Sequence, residues 1–113
     1  MSIKTLKQII KNNGATLDKN GEAVNFKKGY QVSKVDGVKL NINNTVEVLA
    51  AINNTLNTIN KNEFCGLWIE KGYIYIDISI KVNTLEKALK MGRELKQISI
   101  FDWSTKNCIY CNN

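Results

Sequence analysis

Two sets of side chains in this chain have types and spacings that bear on chemistry: Cys108-Ile109-Tyr110-Cys111 and the carboxylates Glu70 and Asp77. A C-x-x-C pair holds zinc or cycles as a redox couple when a turn converges both sulfurs and further ligands complete the set. Ile-Tyr between the cysteines favours a strand instead, where residues three apart point to opposite faces. Cys65 lies within an apolar alternation and reads as a core thiol. Glu70 and Asp77 fall two cross-strand pairs apart on the hairpin described below, and read as solvated strand residues more than as an acid–base couple. The chain has no histidine, so the commonest general base and metal ligand is missing. No motif offers a serine or cysteine nucleophile a substitute base. The glycines Gly14, Gly21, Gly29, Gly37 and Gly72 come one per turn and form no phosphate-binding cluster. The expectation is a protein that is not an enzyme and carries no cofactor or metal.

At 113 residues the chain is read as one domain, 1–113, large enough to bury a core without metals or disulfides. An odd number of cysteines, three, argues against a disulfide framework and fits a reducing cytoplasm. No apolar run approaches the roughly 18 residues of a membrane span, and the first residues, MSIKTLKQIIKNNG, lack a secretion signal. The formal charge of +6 leaves two readings, a lysine-solubilised surface or an acidic partner such as nucleic acid, a nucleoprotein or an acidic protein patch. It argues against a DNA mimic, which would need strong negative charge.

The elements that must position any site centre on Phe64 to Ile80, FCGLWIEKGYIYIDISI. Lys71-Gly72 reads as a two-residue turn between two β-rich runs. Pairing outward sets Ile69 against Ile74, Leu67 against Ile76 and Cys65 against Ile78 on an apolar face. The opposite face pairs Glu70 with Tyr73, Trp68 with Tyr75 and Gly66 with Asp77. A slip of one residue would place isoleucines opposite Trp68 and Glu70, so the pattern fixes the register.

Around this hairpin, Ser2 caps a helix from Ile3 to Asn12, with Ile3, Leu6, Ile9 and Ile10 as its apolar stripe. Runs 15–17, 22–26, 30–35 and 38–42 then read as a meander of three or four short strands, turning at Asp18-Lys19-Asn20-Gly21, Lys27-Lys28-Gly29 and Asp36-Gly37. Asn44 or Thr45 caps a second helix running to about Asn60, its stripe Val46, Leu49, Ile52, Leu56 and Ile59. Asn83 with Glu86 resembles a capping box for a third helix, 84–96, whose buried side is Leu85, Ala88, Leu89, Gly92 and Leu95. Strands at 98–103 and 108–111 follow, before two frayed asparagines, Asn112 and Asn113. The order α-βββ(β)-α-ββ-α-ββ is an α+β fold of antiparallel hairpins packed with helices.

Trp68, Tyr73 and Tyr75 thus share one sheet face, with Lys71 in the adjoining turn. Aromatic residues on a sheet stack nucleic-acid bases, and Tyr, Trp and Arg anchor protein interfaces. The competing reading covers these aromatics with the first or second helix as another core layer. The candidate partner-binding residues are Trp68, Glu70, Lys71, Tyr73, Tyr75 and Asp77, with Lys87, Lys90 and Arg93 of the third helix as an electrostatic fringe.

The stretches GYQVS (29–33), GLWIEKGYIYIDIS (66–79) and ALKMGRELKQISIFDW (88–103) resemble a recurrent type of small protein from phages and conjugative elements of low-GC Gram-positive bacteria. Small proteins of that setting include type II anti-CRISPR proteins, which bind and block an RNA-guided nuclease. The resemblance implies a counter-defence binder and carries over no functional residues. A nucleic-acid-binding accessory protein using the same aromatic face is the alternative.

Overall fold

Leu6 and Ile9 drop into a core from one side of the first helix, α1 (Ile3–Lys11), and its lysines stay outside. Ser2 starts this helix by accepting the Thr5 N–H at 3.1 Å. The computed structural model describes residues 1–111, and the frayed end expected at Asn112 and Asn113 lies outside them. After α1 come β1 (Gly14–Leu17), β2 (Tyr30–Asn41), α2 (Thr45–Thr58), β3 (Glu63–Glu70), β4 (Tyr73–Val82), α3 (Leu85–Glu94), β5 (Ser99–Asp102) and β6 (Asn107–Tyr110). The six strands form one antiparallel sheet in the order β1-β3-β4-β2-β5-β6. The α+β class expected from the sequence is therefore the one observed, as a single small domain.

The β3–β4 hairpin forms in the register read from the sequence, pair for pair from Glu70↔Tyr73 to Cys65↔Ile78. Lys71 and Gly72 both take left-handed conformations, φ 51° and 83°, as a two-residue hairpin turn requires. Alternation along β4 then separates two faces. Ile74 and Ile76 enter a core beneath α1 and α2 together with Leu17, Val48, Ile52, Cys65 and Leu67. Ile80 and Val82 enter a second core with Val32, Ala88, Ile100 and Cys111 beneath α3. All three helices consequently lie on one face of the sheet. Gly92 permits the close approach of α3, because a Cβ there would lie 2.6 Å from Cys111 Sγ and 3.1 Å from Ile100 Cγ2.

The meander between α1 and α2 is corrected. Asp18-Lys19-Asn20-Gly21 does turn the chain, with Asp18 Oδ1 accepting from the N–H groups of Asn20 and Glu22. The run 22–26 contributes only an isolated bridge, Leu17↔Ala23. Asp36-Gly37 is no hairpin turn, since 30–35 and 38–41 belong to one long strand. Both halves pair with the unbroken β4, and the surplus residues are absorbed at register shifts between Ser33 and Val35 and between Val35 and Val38. In α2 the stripe is also set differently: Val48 and Ile52 are buried, and Val46 is 81% exposed. At about 100° per residue Val46 lies about 120° around the helix from Ile52, and Val48 only about 40°. At α3 the cap is Thr84, whose Oγ1 accepts the Lys87 N–H at 3.3 Å, one residue beyond Asn83. Leu85 and Leu95 are exposed rather than buried. Among the described residues, no helix is long and apolar enough to cross a membrane.

Candidate interaction face

The sheet face away from the helices is concave. Thr16 on β1 and Gln31 on β2 belong to strands three steps apart in the sheet, a separation of about 14 Å if the sheet were flat. Yet Thr16 Oγ1 donates to Gln31 Oε1 at 3.2 Å, and Gln31 Nε2 donates to Ser79 Oγ at 2.6 Å. Only a sheet curled toward this side brings these groups together. The polar belt they form divides the face into two halves.

One half is filled. Phe26, from the connection between β1 and β2, meets Phe64 and Trp103 edge-on at 5.5 and 5.4 Å between ring centroids, and Phe101 meets Trp103 at 5.1 Å. Lys81 Nζ lies 4.5 Å from the centre of the Phe26 ring and Lys106 Nζ 4.8 Å from Trp103, so the cluster is roofed by cations. Lys106 also donates to Asn25 Oδ1 at 2.8 Å, tying the connection to the turn between β5 and β6. This aromatic layer was missed from sequence. The signal available was the outward parity of Phe64 and Phe101, which needed the correct strand order to be read.

The other half is open, and it holds most of the expected site residues. Across the strands one row reads Gly14, Trp68, Tyr75, Lys39, and the next Glu70, Tyr73, Asn41. Trp68 is 50% exposed and Tyr73 39%. Trp68 and Tyr75 pack with ring centroids 5.7 Å apart at a tilt of 59°. Lys39 Nζ sits 4.4 Å from the Tyr73 ring centre and 5.7 Å from that of Tyr75. Lys71 stands exposed in the turn that closes this end. Lys39 was not among the sequence-derived candidates, because it reached this face only once 38–41 joined β4. Among the described residues no helix covers the open half: α1, α2 and α3 all occupy the opposite face.

The remaining candidates lie apart. Asp77 is one row deeper, opposite Gly66, and a Cβ on Gly66 would collide with Asp77 Oδ1. The absent side chain is what allows the carboxylate to lie there. Lys87, Lys90 and Arg93 belong to α3 on the helical face, so they do not fringe the aromatic patch. Arg93 instead donates from Nε to the Cys111 carbonyl at 2.9 Å.

The cysteines do not converge. Cys108 is exposed, Cys111 is buried under α3, and Cys65 is buried in the other core. Burial pushes the Cys65 thiol up to about 12, with the Asp77 carboxylate adding to the effect. Burial likewise raises Cys111, offset in part by Arg93. Among the described residues, no group of three His, Cys, Asp or Glu side chains is placed to hold a metal ion. Comparison with protein-family models, with curated proteins and with solved structures finds no match.

Proposed function

We propose that this chain is a non-enzymatic binding protein that occupies a surface of another macromolecule with the Trp68–Tyr73–Tyr75 face. The observation that carries the reading is the uncovered half of the concave sheet. Trp68 and Tyr73 stand exposed in adjacent rows, Trp68 packed against Tyr75 and Tyr73 against Lys39. Rigid aromatic rings offer large contact area at small entropic cost, and exposed aromatic patches on small domains mark interaction sites. The resemblance to small phage and conjugative-element proteins directs the reading to a cytoplasmic counter-defence role. The partner would be an RNA-guided nuclease or a similar host nucleoprotein, blocked at a functional surface. Three unpaired cysteines are compatible with that compartment.

Capture of a guide-loaded type II nuclease and inhibition of its DNA cleavage test the reading directly. The wild-type chain is expected to bind and inhibit, and Trp68→Ala/Tyr75→Ala to lose both while keeping its circular dichroism spectrum. Inhibition that survives in a folded double variant refutes the assignment of the face.

A second reading, direct nucleic-acid binding, is favoured by Lys39 and Lys71 beside the aromatic rows. Fluorescence anisotropy with short single- and double-stranded DNA and RNA across a salt series separates the two. Submicromolar affinity with a steep logarithmic salt dependence supports phosphate contacts. Binding that vanishes near physiological salt removes this reading.

A further inference from the structure

We propose that the free edge of β6 pairs with β6 of a second copy of this chain, extending the sheet across a two-fold axis at Ile109.

The two edges of the sheet are treated differently. At β1 the outward carbonyl of Thr16 is taken by the Val24 N–H at 2.9 Å, and Ala23 bridges Leu17, so the connection after β1 covers that edge. Among the described residues no element pairs with the outer side of β6. Natural edges are usually blunted by charge, proline or a bulge. Here 107–110 reads Asn-Cys-Ile-Tyr, with no charge, no proline and an unbroken register against β5.

Hydrogen-bond phase fixes which groups are on offer. Cys111 N–H donates to the Ile98 carbonyl at 2.9 Å, so the inward-facing backbone groups are those of Cys111, Ile109 and Asn107. Cys108 and Tyr110 therefore turn their N–H and C=O outward. Two residues of one strand offering donor and acceptor in this spacing are self-complementary under a two-fold. Cys108 of one copy meets Tyr110 of the other, and Tyr110 meets Cys108. Side chains match in the same arrangement, for a small thiol faces a large ring across each pair. Tyr110 at this edge is 68% exposed, so pairing would cover apolar surface as well as backbone. The uncharged strand lets two copies approach although each carries a net +6. Long-range repulsion between copies makes association strengthen as salt is added.

Sedimentation equilibrium of the full chain at micromolar to millimolar concentration tests this, at low and high salt. A monomer–dimer equilibrium tighter at high salt is expected. Tyr110→Pro removes the outward N–H and leaves the β5–β6 ladder bonds in place. It should raise the dimer dissociation constant by about tenfold or more, because both copies lose a bond. Tyr110→Lys keeps the N–H and adds charge, and should weaken the dimer too, so the outcome does not hang on one backbone change. Tyr110→Cys places a new thiol opposite Cys108 of the other copy and should give a covalent dimer on mild oxidation. A chain that stays monomeric at the highest concentration, or a folded Tyr110→Cys chain that never cross-links between copies, overturns the proposal.

Discussion

The two tryptophans lie on the same face of the sheet and should respond unequally to replacement. Trp68 is half exposed, and Trp103 is 8% exposed beneath Phe26 and Phe101. A half-exposed indole removes on the order of 100 Å² from water, which at about 25 cal/mol/Å² is at most about 2.5 kcal/mol. Trp68→Ala should thus cost about 2 kcal/mol, including the ring contact with Tyr75 at 5.7 Å. Trp103→Ala opens a cavity inside the aromatic layer and should cost about 3–5 kcal/mol. A chain of this length holds roughly 6–17 kcal/mol in total, so the first variant stays folded and the second approaches the lower limit. Urea unfolding gives the two costs. Because there are only two tryptophans, Trp68→Phe and Trp103→Phe each leave a single reporter. The Trp103 reporter should emit to the blue and resist acrylamide, and the Trp68 reporter should emit to the red and be quenched. If Trp68 proves blue-shifted and protected, or its truncation costs as much as that of Trp103, the open half is a core layer and the proposed interaction face is gone.

The thiols and the helix contact give further tests. Cys65 ionises in the unfolded chain near its ordinary value of 9.0 but only near 12 when folded. Between those values the folded state keeps a proton that the unfolded state releases. Stability should therefore be unaffected by this group below pH 9 and should fall by up to about 1.4 kcal/mol per pH unit above it. The slope difference between wild type and Cys65→Ala in urea melts at pH 8 to 10.5 isolates the effect. Iodoacetamide near pH 8 should label Cys108 rapidly and Cys65 and Cys111 only on unfolding, as read by mass spectrometry. Gly92→Ala gains about 1 kcal/mol of helix propensity but drives a methyl into Cys111 Sγ. It should destabilise the wild type by about 1–2 kcal/mol and become neutral or stabilising in Cys111→Ala, a sign change that a double-mutant cycle detects.

The hairpin was legible because two constraints agree there. A left-handed two-residue turn and a strict apolar alternation leave only one register for Phe64 to Ile80. The strand order was not legible. Nothing local in Tyr30 to Asn41 says that its neighbours in the sheet are β4 and β5 rather than β1. Asp36-Gly37 has the composition of a hairpin turn, and that signal lost to a longer ladder: nine of the ten residues of β4 pair with β2 from Tyr30 to Asn41. The same non-local pairing delivered Lys39 to the aromatic patch and removed α3, with Lys87, Lys90 and Arg93, to the opposite face. Helix phase failed for a simpler reason in α2, where Val46 and Val48 are equally apolar and only the packing against β3 and β4 chooses between them.

The open half of the concave face is not an unavoidable by-product of the fold. The chain contains a segment able to cover this face, since residues after Gly21 cross it and seat Phe26 among Phe64, Phe101 and Trp103. That segment is anchored at the far end by Lys106 to Asn25 and by Trp103 N–H to the Gly29 carbonyl at 3.0 Å. It therefore cannot slide toward the Lys71-Gly72 turn without losing both ties. Gly14 keeps the β1 end of the Trp68 row bare, because a Cβ there would strike the Leu67 carbonyl. Thus the rows carrying Trp68, Tyr75 and Tyr73 are bounded by the bare backbone of Gly14 on one side and by Lys39 and Asn41 on the other. The buried half of Trp68 contributes to folding, but the ring area left exposed does not, and it carries a risk of aggregation that a threonine or lysine would avoid. Two aromatic rows that no described element of this chain covers, next to a half that the chain does fill, are the feature on which the proposed interaction face rests.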